Sequence, residues 1–278
     1  MLSPTEPPNK GLQLPSASAA FPALVASGRH TPVLRRGESA LAAAAEARSV
    51  GRPEEEDALG VPVLSREQAR RVYDRIGARQ DTQAFYEDRA TEILIRHGDF
   101  GAAHRMLEFG CGTGRFAVRL LSHHLPVGAS YRALDLSPTM VQLARARLAP
   151  FRSRAEAILT DGSPPTSEPA GSRDRIVSNF VFDLLSEDDI VAVVGEAHRI
   201  LVPGGLLCVS SLSSGAGAFS RFMSRAWSRV HAWRPALVGG CRPLELLAWV
   251  PSQQWQVRHH CKLAPFGVPS EVVVAARV

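Results

Sequence analysis

The chain has 278 residues, with 32 basic side chains against 27 acidic ones and a net charge of +5 at neutral pH. Its hydrophobic share of 45% is that of an ordinary folded protein, and no apolar run is long enough to span a bilayer, which excludes an integral helical membrane protein. Every basic residue except Lys10 and Lys262 is arginine, a skew read as a GC-rich genome rather than a nucleic-acid surface, so no nucleic-acid partner is expected.

Residues 1–60 are rich in Pro, Ser, Ala and Gly, and only the alanine-rich stretch Glu38–Arg48 hints at a packed element. They are expected to form a mostly disordered extension ahead of a folded domain at 61–278. Up to Arg36 there is one acid, Glu6, among several Ser and Arg, which raises an organellar transit peptide. Pro4, Pro7 and Pro8 oppose a targeting helix, so a bacterial tail and a cytoplasmic location are expected.

Ser65 and Gln68 have the spacing of a capping box before a helix over 66–76, which Gly77 ends. Asp81 is placed to cap a second helix over 82–96. In it Tyr86, Ala90, Ile93 and Leu94 fall on one face. An apolar strand follows, and Glu108-Phe109-Gly110-Cys111-Gly112-Thr113-Gly114 then leads into the helix that begins near Phe116. Glycines permit a tight turn with positive φ and close approach of a ligand to bare backbone. A helix N-terminus behind them presents unpaired N–H groups. Cys111 within this loop reads as a space-filler rather than a nucleophile. His123-His124 close the helix and read as partners of its dipole, away from any site.

The strand over 131–136 ends at Asp135, where an acid can accept both hydroxyls of a ribose. Ser137-Pro138 reads as the N-cap and first residue of the next helix. Met140 lies in its first turn, where a thioether can pack on an adenine. The strand over 157–160 delivers Asp161-Gly162, whose carboxylate can accept an exocyclic amine. The strand over 175–178 delivers Asn179 and Phe180. Asp183 reads as a cap or turn acid. Ser186 caps a helix reaching Leu201, Pro203-Gly204-Gly205 makes a turn, and a strand over 206–210 follows. Alternation of strands and helices predicts an α/β fold with a parallel sheet covered on both faces.

In the segment 214–250, Phe219, Phe222, Met223, Trp227, Val230 and Trp233 line one helical face, and Arg221, Arg225 and Arg229 form a second stripe. One reading is a core face with a solvated face. The other is a cap over a hydrophobic acceptor, with arginines facing an anionic head group or a membrane surface through 219–234. Two final strands are expected near 255–260 and 271–278. Adjacent residues in a strand point to opposite faces, so His259-His260-Cys261 is not read as a metal site. The four cysteines, Cys111, Cys208, Cys241 and Cys261, lack C-x-x-C spacing and read as reduced.

The motifs E-F-G-C-G-T-G, L-D-L-S-P-x-M, T-D-G and L-x-P-G-G, in this order, resemble the class I S-adenosylmethionine-dependent methyltransferases, and among them the small-molecule type 11 group that includes quinone methyltransferases. The resemblance covers about residues 65–278. It implies a Rossmann-like, seven-stranded, mostly parallel sheet with an antiparallel terminal strand and helices on both faces. The implied cofactor is S-adenosylmethionine, and the implied acceptor is a small molecule, with hydrophobic and lipid-like compounds in view. It places Glu108, Gly110, Cys111, Gly112 and Gly114 at the methionine and ribose end, and Asp135 and Leu136 at the ribose. It also puts Met140, Asp161 and Gly162 at the adenine, and Asn179 and Phe180 facing the methyl group. Tyr73 and Arg75, with Phe85 and Tyr86, resemble residues that approach the methionine end, while ordinary helix packing explains them equally well. No residue declares itself a general base, and no metal is implied. A nicotinamide oxidoreductase would also use Asp135, but the third glycine comes one residue too early, and T-D-G and L-x-P-G-G have no role there. The absence of prolines after Asn179 speaks against adenine-N6 methylation. A protein that binds the cofactor or a partner without turnover is the alternative from another class.

Overall fold

The computed structural model describes residues 55–56, 62–164, 166–214 and 240–278. The extension before residue 55, with its alanine-rich stretch, and the aromatic and arginine stripes of 219–233 lie outside the described residues. In chain order the elements are α1 (Arg66–Ile76), α2 (Ala84–His97), β1 (Arg105–Phe109), α3 (Arg115–His123), β2 (Ser130–Asp135), α4 (Pro138–Leu148), β3 (Ala155–Leu159) and β4 (Arg173–Asn179). Then come α5 (Glu187–Ile200), β5 (Leu201–Leu212), β6 (Trp255–Leu263) and β7 (Ser270–Arg277). A short antiparallel pair, Glu55–Glu56 with Pro62–Val63, precedes α1.

The seven strands lie in the order β3-β2-β1-β4-β5-β7-β6. β1 to β5 run parallel, and β7 is antiparallel to both β5 and β6. The predicted antiparallel strand is therefore present, set one place in from the edge, with β6 outside it. The strand order reverses between β1 and β4, and in such sheets ligands bind beyond the carboxyl ends of the strands at the reversal.

Both sheet faces are buried, and the period-two alternation of a strand sorts its residues between them. Met106, Tyr131, Val177, Cys208 and Val274 pack with Ala90 and Leu94 of α2, Leu120 of α3 and Val141 and Ala144 of α4. Their neighbours Leu107, Ile176, Leu207, Val209 and Val273 pack on the other face with Ile190, Val194, Ala197 and Ile200 of α5.

Local signals explain most boundaries. Ser65 and Gln68 form the capping box, and Gly77 ends α1 at φ 52°. Ser137 accepts the Met140 N–H and caps α4 behind Pro138, while Ser186 accepts the Asp189 N–H and caps α5. One cap differs from expectation. Asp81 does not cap α2, which starts at Ala84 after a 3-10 stretch over Gly77–Gln83. Its carboxylate is taken by the Arg147 guanidinium and the Thr113 hydroxyl, charge-assisted bonds that outweigh a cap. The Pro203-Gly204-Gly205 turn lies inside β5, where the register to β4 jumps from Arg173–Leu201 to Arg175–Leu206.

Candidate functional site

The glycine loop is folded back over the end of β2. The N–H groups of Gly110 and Cys111 both donate to Leu134 O at 2.9 Å. Gly114 begins α3 at φ 77°, and a Cβ there would lie 2.9 Å from Ala144 Cα, so only glycine lets α3 and α4 approach this closely. Asp135 ties the loop down, with Oδ2 accepting the Gly112 N–H at 2.8 Å and Oδ1 the Ser137 N–H at 2.9 Å. Burial pushes its carboxyl above the usual range, against the pull of these N–H groups. Glu108 is buried beneath the loop and accepts the Tyr131 hydroxyl at 2.8 Å. Burial pushes it up to about 8, with Asp135 adding to the rise.

A cavity of about 160 Å³ opens above the loop, between the carboxyl ends of β1 and β4 and the start of α2. Glu108, Gly110, Cys111, Gly112 and Asn179 line it from below, and Gln80 and Glu87 from the N-terminal helices. Two of its polar atoms are buried without a hydrogen-bond partner, the carbonyl oxygen Gln80 Oε1 and the amide nitrogen Asn179 Nδ2. Asn179 Oδ1 is held by the Ser210 hydroxyl at 2.9 Å, which fixes the direction of the amide. An unpaired acceptor and an unpaired donor over bare glycine backbone fit an amino-acid end bearing an ammonium and a carboxylate. The Gly112 backbone leaves room for it, since a Cβ there would come within 2.8 Å of Gln80 Oε1.

The remaining expected residues do not line this cavity. Leu136 and Gly162 face each other, the Leu136 Cβ lying 3.5 Å from a Cβ built on Gly162. Asp161 is exposed, accepts the Ser163 N–H at 2.8 Å, and lines a separate cavity of about 190 Å³ with Phe109, Leu134 and Ile158. Met140 is wholly buried in the first turn of α4. Phe180 holds φ at 52°, a strained value for an aromatic residue, and its ring meets Tyr86 edge-on at 5.7 Å. Phe85 stacks edge-on against Tyr86 and Phe266 and is more than half exposed. Tyr73 is directed at Cys241 and Asp183, and burial raises its hydroxyl well above the ordinary value.

Asp183 is a turn acid, and a buried one. It lies in the 3-10 turn Phe182–Leu184, has no exposure, and neither carboxylate oxygen has a hydrogen-bond partner. Burial pushes it up to about 7. Glu87, in the first turn of α2, also rises to about 7, first by burial and then by the charge of Asp183. Neither residue has a sequence signal beyond its nearness to Tyr86 or to the end of β4. Cys111 is buried, and burial lifts its thiol well above the ordinary value, which leaves no thiolate nucleophile. His123 and His124 close α3, 6.3 Å apart. His259 stacks on His97, His260 pairs with Glu271 at 2.8 Å, and no cluster among the described residues has metal-ligating geometry.

This arrangement is that of a nucleoside-cofactor domain, and comparisons with known proteins specify which kind. Residues 106–205 match the family model described as a methyltransferase domain. The ubiquinone biosynthesis O-methyltransferase of Xanthomonas oryzae is 26% identical over 68% of this chain and 77% of its own length. Against another curated relative the chain spans 58% of the length. Among solved structures, the [4+2]-cyclase SpnF aligns with a TM-score of 0.59 at 14% identity, over 78% of this chain and 98% of that one. Geranyl diphosphate C-methyltransferase from Streptomyces coelicolor, solved with S-adenosyl-L-homocysteine, aligns with a TM-score of 0.56 at 15% identity, over 77% and 97%. These structural likenesses establish the fold. The match over residues 106–205, taken with this fold, is consistent with a class I S-adenosylmethionine-dependent methyltransferase domain of the type 11 group.

Proposed function

We propose that the protein transfers a methyl group from S-adenosylmethionine to a small-molecule acceptor, with hydrophobic, quinone- or lipid-like compounds as the first candidates. The observation that carries this reading is the cavity over the glycine loop, where bare backbone, an unpaired acceptor on Gln80 and an unpaired donor on Asn179 converge. The cofactor supplies a methyl group on a sulfonium, so the reaction is an in-line displacement with a good leaving group already in place. Catalysis then rests on alignment and exclusion of water. Gln80 Oε1 accepts the cofactor's ammonium and Asn179 Nδ2 donates to its carboxylate. Asp135 turns from the Gly112 N–H to the ribose hydroxyls. Leu136, Met140, Asp161 and Gly162 hold the adenine. Phe180, pinned by Tyr86, walls the reacting end.

The X. oryzae relative's name supports an acceptor of the quinone type, and the S. coelicolor enzyme's name a hydrophobic one. A second reading is that the fold serves a different end, as in the [4+2]-cyclase SpnF. Calorimetric titration with S-adenosylhomocysteine, with NADH as control, tests the cofactor assignment. Saturable binding of the first and none of the second supports it, and the reverse sinks it. Methyl transfer to a panel of quinols and lipids then separates an enzyme from a binding protein.

A further inference from the structure

The described part of the domain holds two acids that cofactor binding does not use. Glu87 lines the cavity beside Cys111 and Asn179. Asp183 lies directly beyond the end of β4, wholly buried. The groups around them are few. Tyr86 and Phe180, edge to face at 5.7 Å, pack with Cys241 and Leu184 in one apolar cluster. Tyr73, Tyr86 and Cys241 are the titratable neighbours of Asp183, and all three are raised and neutral at ordinary pH. The cations nearby have other partners. Arg115 is held by both oxygens of Asp88 at 2.7 and 2.8 Å. Arg242 donates to Leu185 O at 2.8 Å and lowers Asp183 only in part. A buried carboxyl whose cation and weak thiol donor, Arg242 and Cys241 at Asp183, offset its burial only in part is costly to keep.

We infer that Glu87, backed by Asp183, takes the proton that the acceptor's attacking atom must lose, so that the substrate class is a phenolic or enolic hydroxyl or an activated carbon acid. The inference rests on the methyltransferase reading. In the step, the acceptor's X–H bond breaks and its proton passes to a Glu87 oxygen. The freed electron pair forms the X–CH3 bond, and the C–S pair returns to sulfur, giving the neutral thioether product. The proton leaves to water when the product does. Glu87 meets the acceptor, and Asp183 is a positioning residue that acts through it. Burial pushes both carboxyls up to about 7, and the charge of Asp183 adds to the rise at Glu87, so each is populated in both protonation states at neutral pH. An acceptor that is already a carboxylate needs no such base and is repelled by the pair.

The pair can be tested before the acceptor is known. A sulfonium beside it favours the ionised form and expels its proton, whereas the thioether of S-adenosylhomocysteine does not. Calorimetric titration at pH 7 with S-adenosylmethionine and with S-adenosylhomocysteine, each in two buffers of different ionisation heat, reads the protons released. The expected result is net release with the first ligand alone. Glu87→Gln is expected to abolish that difference, and its binding of S-adenosylhomocysteine shows that the variant is folded. Equal release with both ligands, or a difference that survives Glu87→Gln, overturns the inference. Failure of either ligand to bind sinks the methyltransferase reading and this inference with it. Asp183→Asn is the second variant. Its expected effect is a shift in the pH at which release is half complete, and because Glu87→Gln sits at the cavity rim, the test stands even where Asp183→Asn does not fold.

Discussion

Glu108 is an acid placed where ionisation is costly, and that has a consequence for stability. An ordinary glutamate titrates at 4.5, whereas this one is raised to about 8, chiefly by burial. Between those values the folded chain keeps a proton that the unfolded chain has lost. Stability is therefore fully present below the lower value and is lost as pH rises through the upper one. Glu87 and Asp183, each raised to about 7, add to the same slope. Urea denaturation followed from about pH 5 to about pH 9 should show a falling midpoint, and Glu108→Gln, which keeps an acceptor for Tyr131, should flatten the upper part of the fall. A profile identical to the parent would mean that Glu108 is ionised in the folded state. Asp135 has the opposite standing, since its charge is wanted. Asp135→Ala should weaken S-adenosylhomocysteine binding by about 1–3 kcal/mol, the scale of losing a charged hydrogen-bond partner. Calorimetry that finds unchanged affinity removes Asp135 from the site. The two kinds of acid differed in legibility for a physical reason. Asp135 follows an apolar strand at a fixed distance from a glycine loop, and local pattern reports that. Glu87 and Asp183 owe their character to burial among Tyr73, Tyr86 and Cys241, which are far apart in sequence.

At the scale of elements, the N-terminal helices are strapped onto the carboxyl edge of the sheet. Asp74 of α1 accepts the Ser137 hydroxyl at 2.6 Å and the Thr139 N–H at 3.3 Å. Arg66 reaches both Ser163 and Asp189 at the start of α5. The 3-10 stretch 77–83 is clamped by Asp81 to Arg147 and Thr113, and this places Gln80 over Gly112. These bonds join a cap to a loop that must part for a ligand to pass. Asp81→Ala should therefore speed S-adenosylhomocysteine release several-fold. The clamp is about a third exposed, which limits its contribution to about 1 kcal/mol. Stopped-flow displacement reads the rate, and an unchanged rate would mean that the cap opens elsewhere. The sequence pattern located α1, α4 and α5 through their serine caps, because a cap is a contact within three residues. It misplaced the start of α2 because Asp81 had a better partner in Arg147, which lies 66 residues away.

At the scale of the molecule, the least local feature is the position of β7. Its sequence, Glu271-Val272-Val273-Val274-Ala275-Ala276, announces a strand buried on both faces, yet nothing in it says which strands flank it. The flanks follow from pairing with β5 through Leu206–Ala276 and with β6 through Trp255–Arg277. Insertion there leaves β6 as the edge, with alternate residues toward solvent, and a bulge between Val257 and His259 breaks the edge ladder. The two positions predict different tolerances. Val273 and Val274 are at most 1% exposed and point to opposite faces, whereas Val257 is 40% exposed. A hydroxyl in place of a methyl at either β7 site is buried on whichever face it points to. Val273→Thr and Val274→Thr should each cost about 1–3 kcal/mol. Val257→Thr should stay within about 0.5 kcal/mol of the parent. Chemical denaturation of the three variants measures this directly. A tolerant Val273 or Val274 would mean that the face of β7 it points to is open to water.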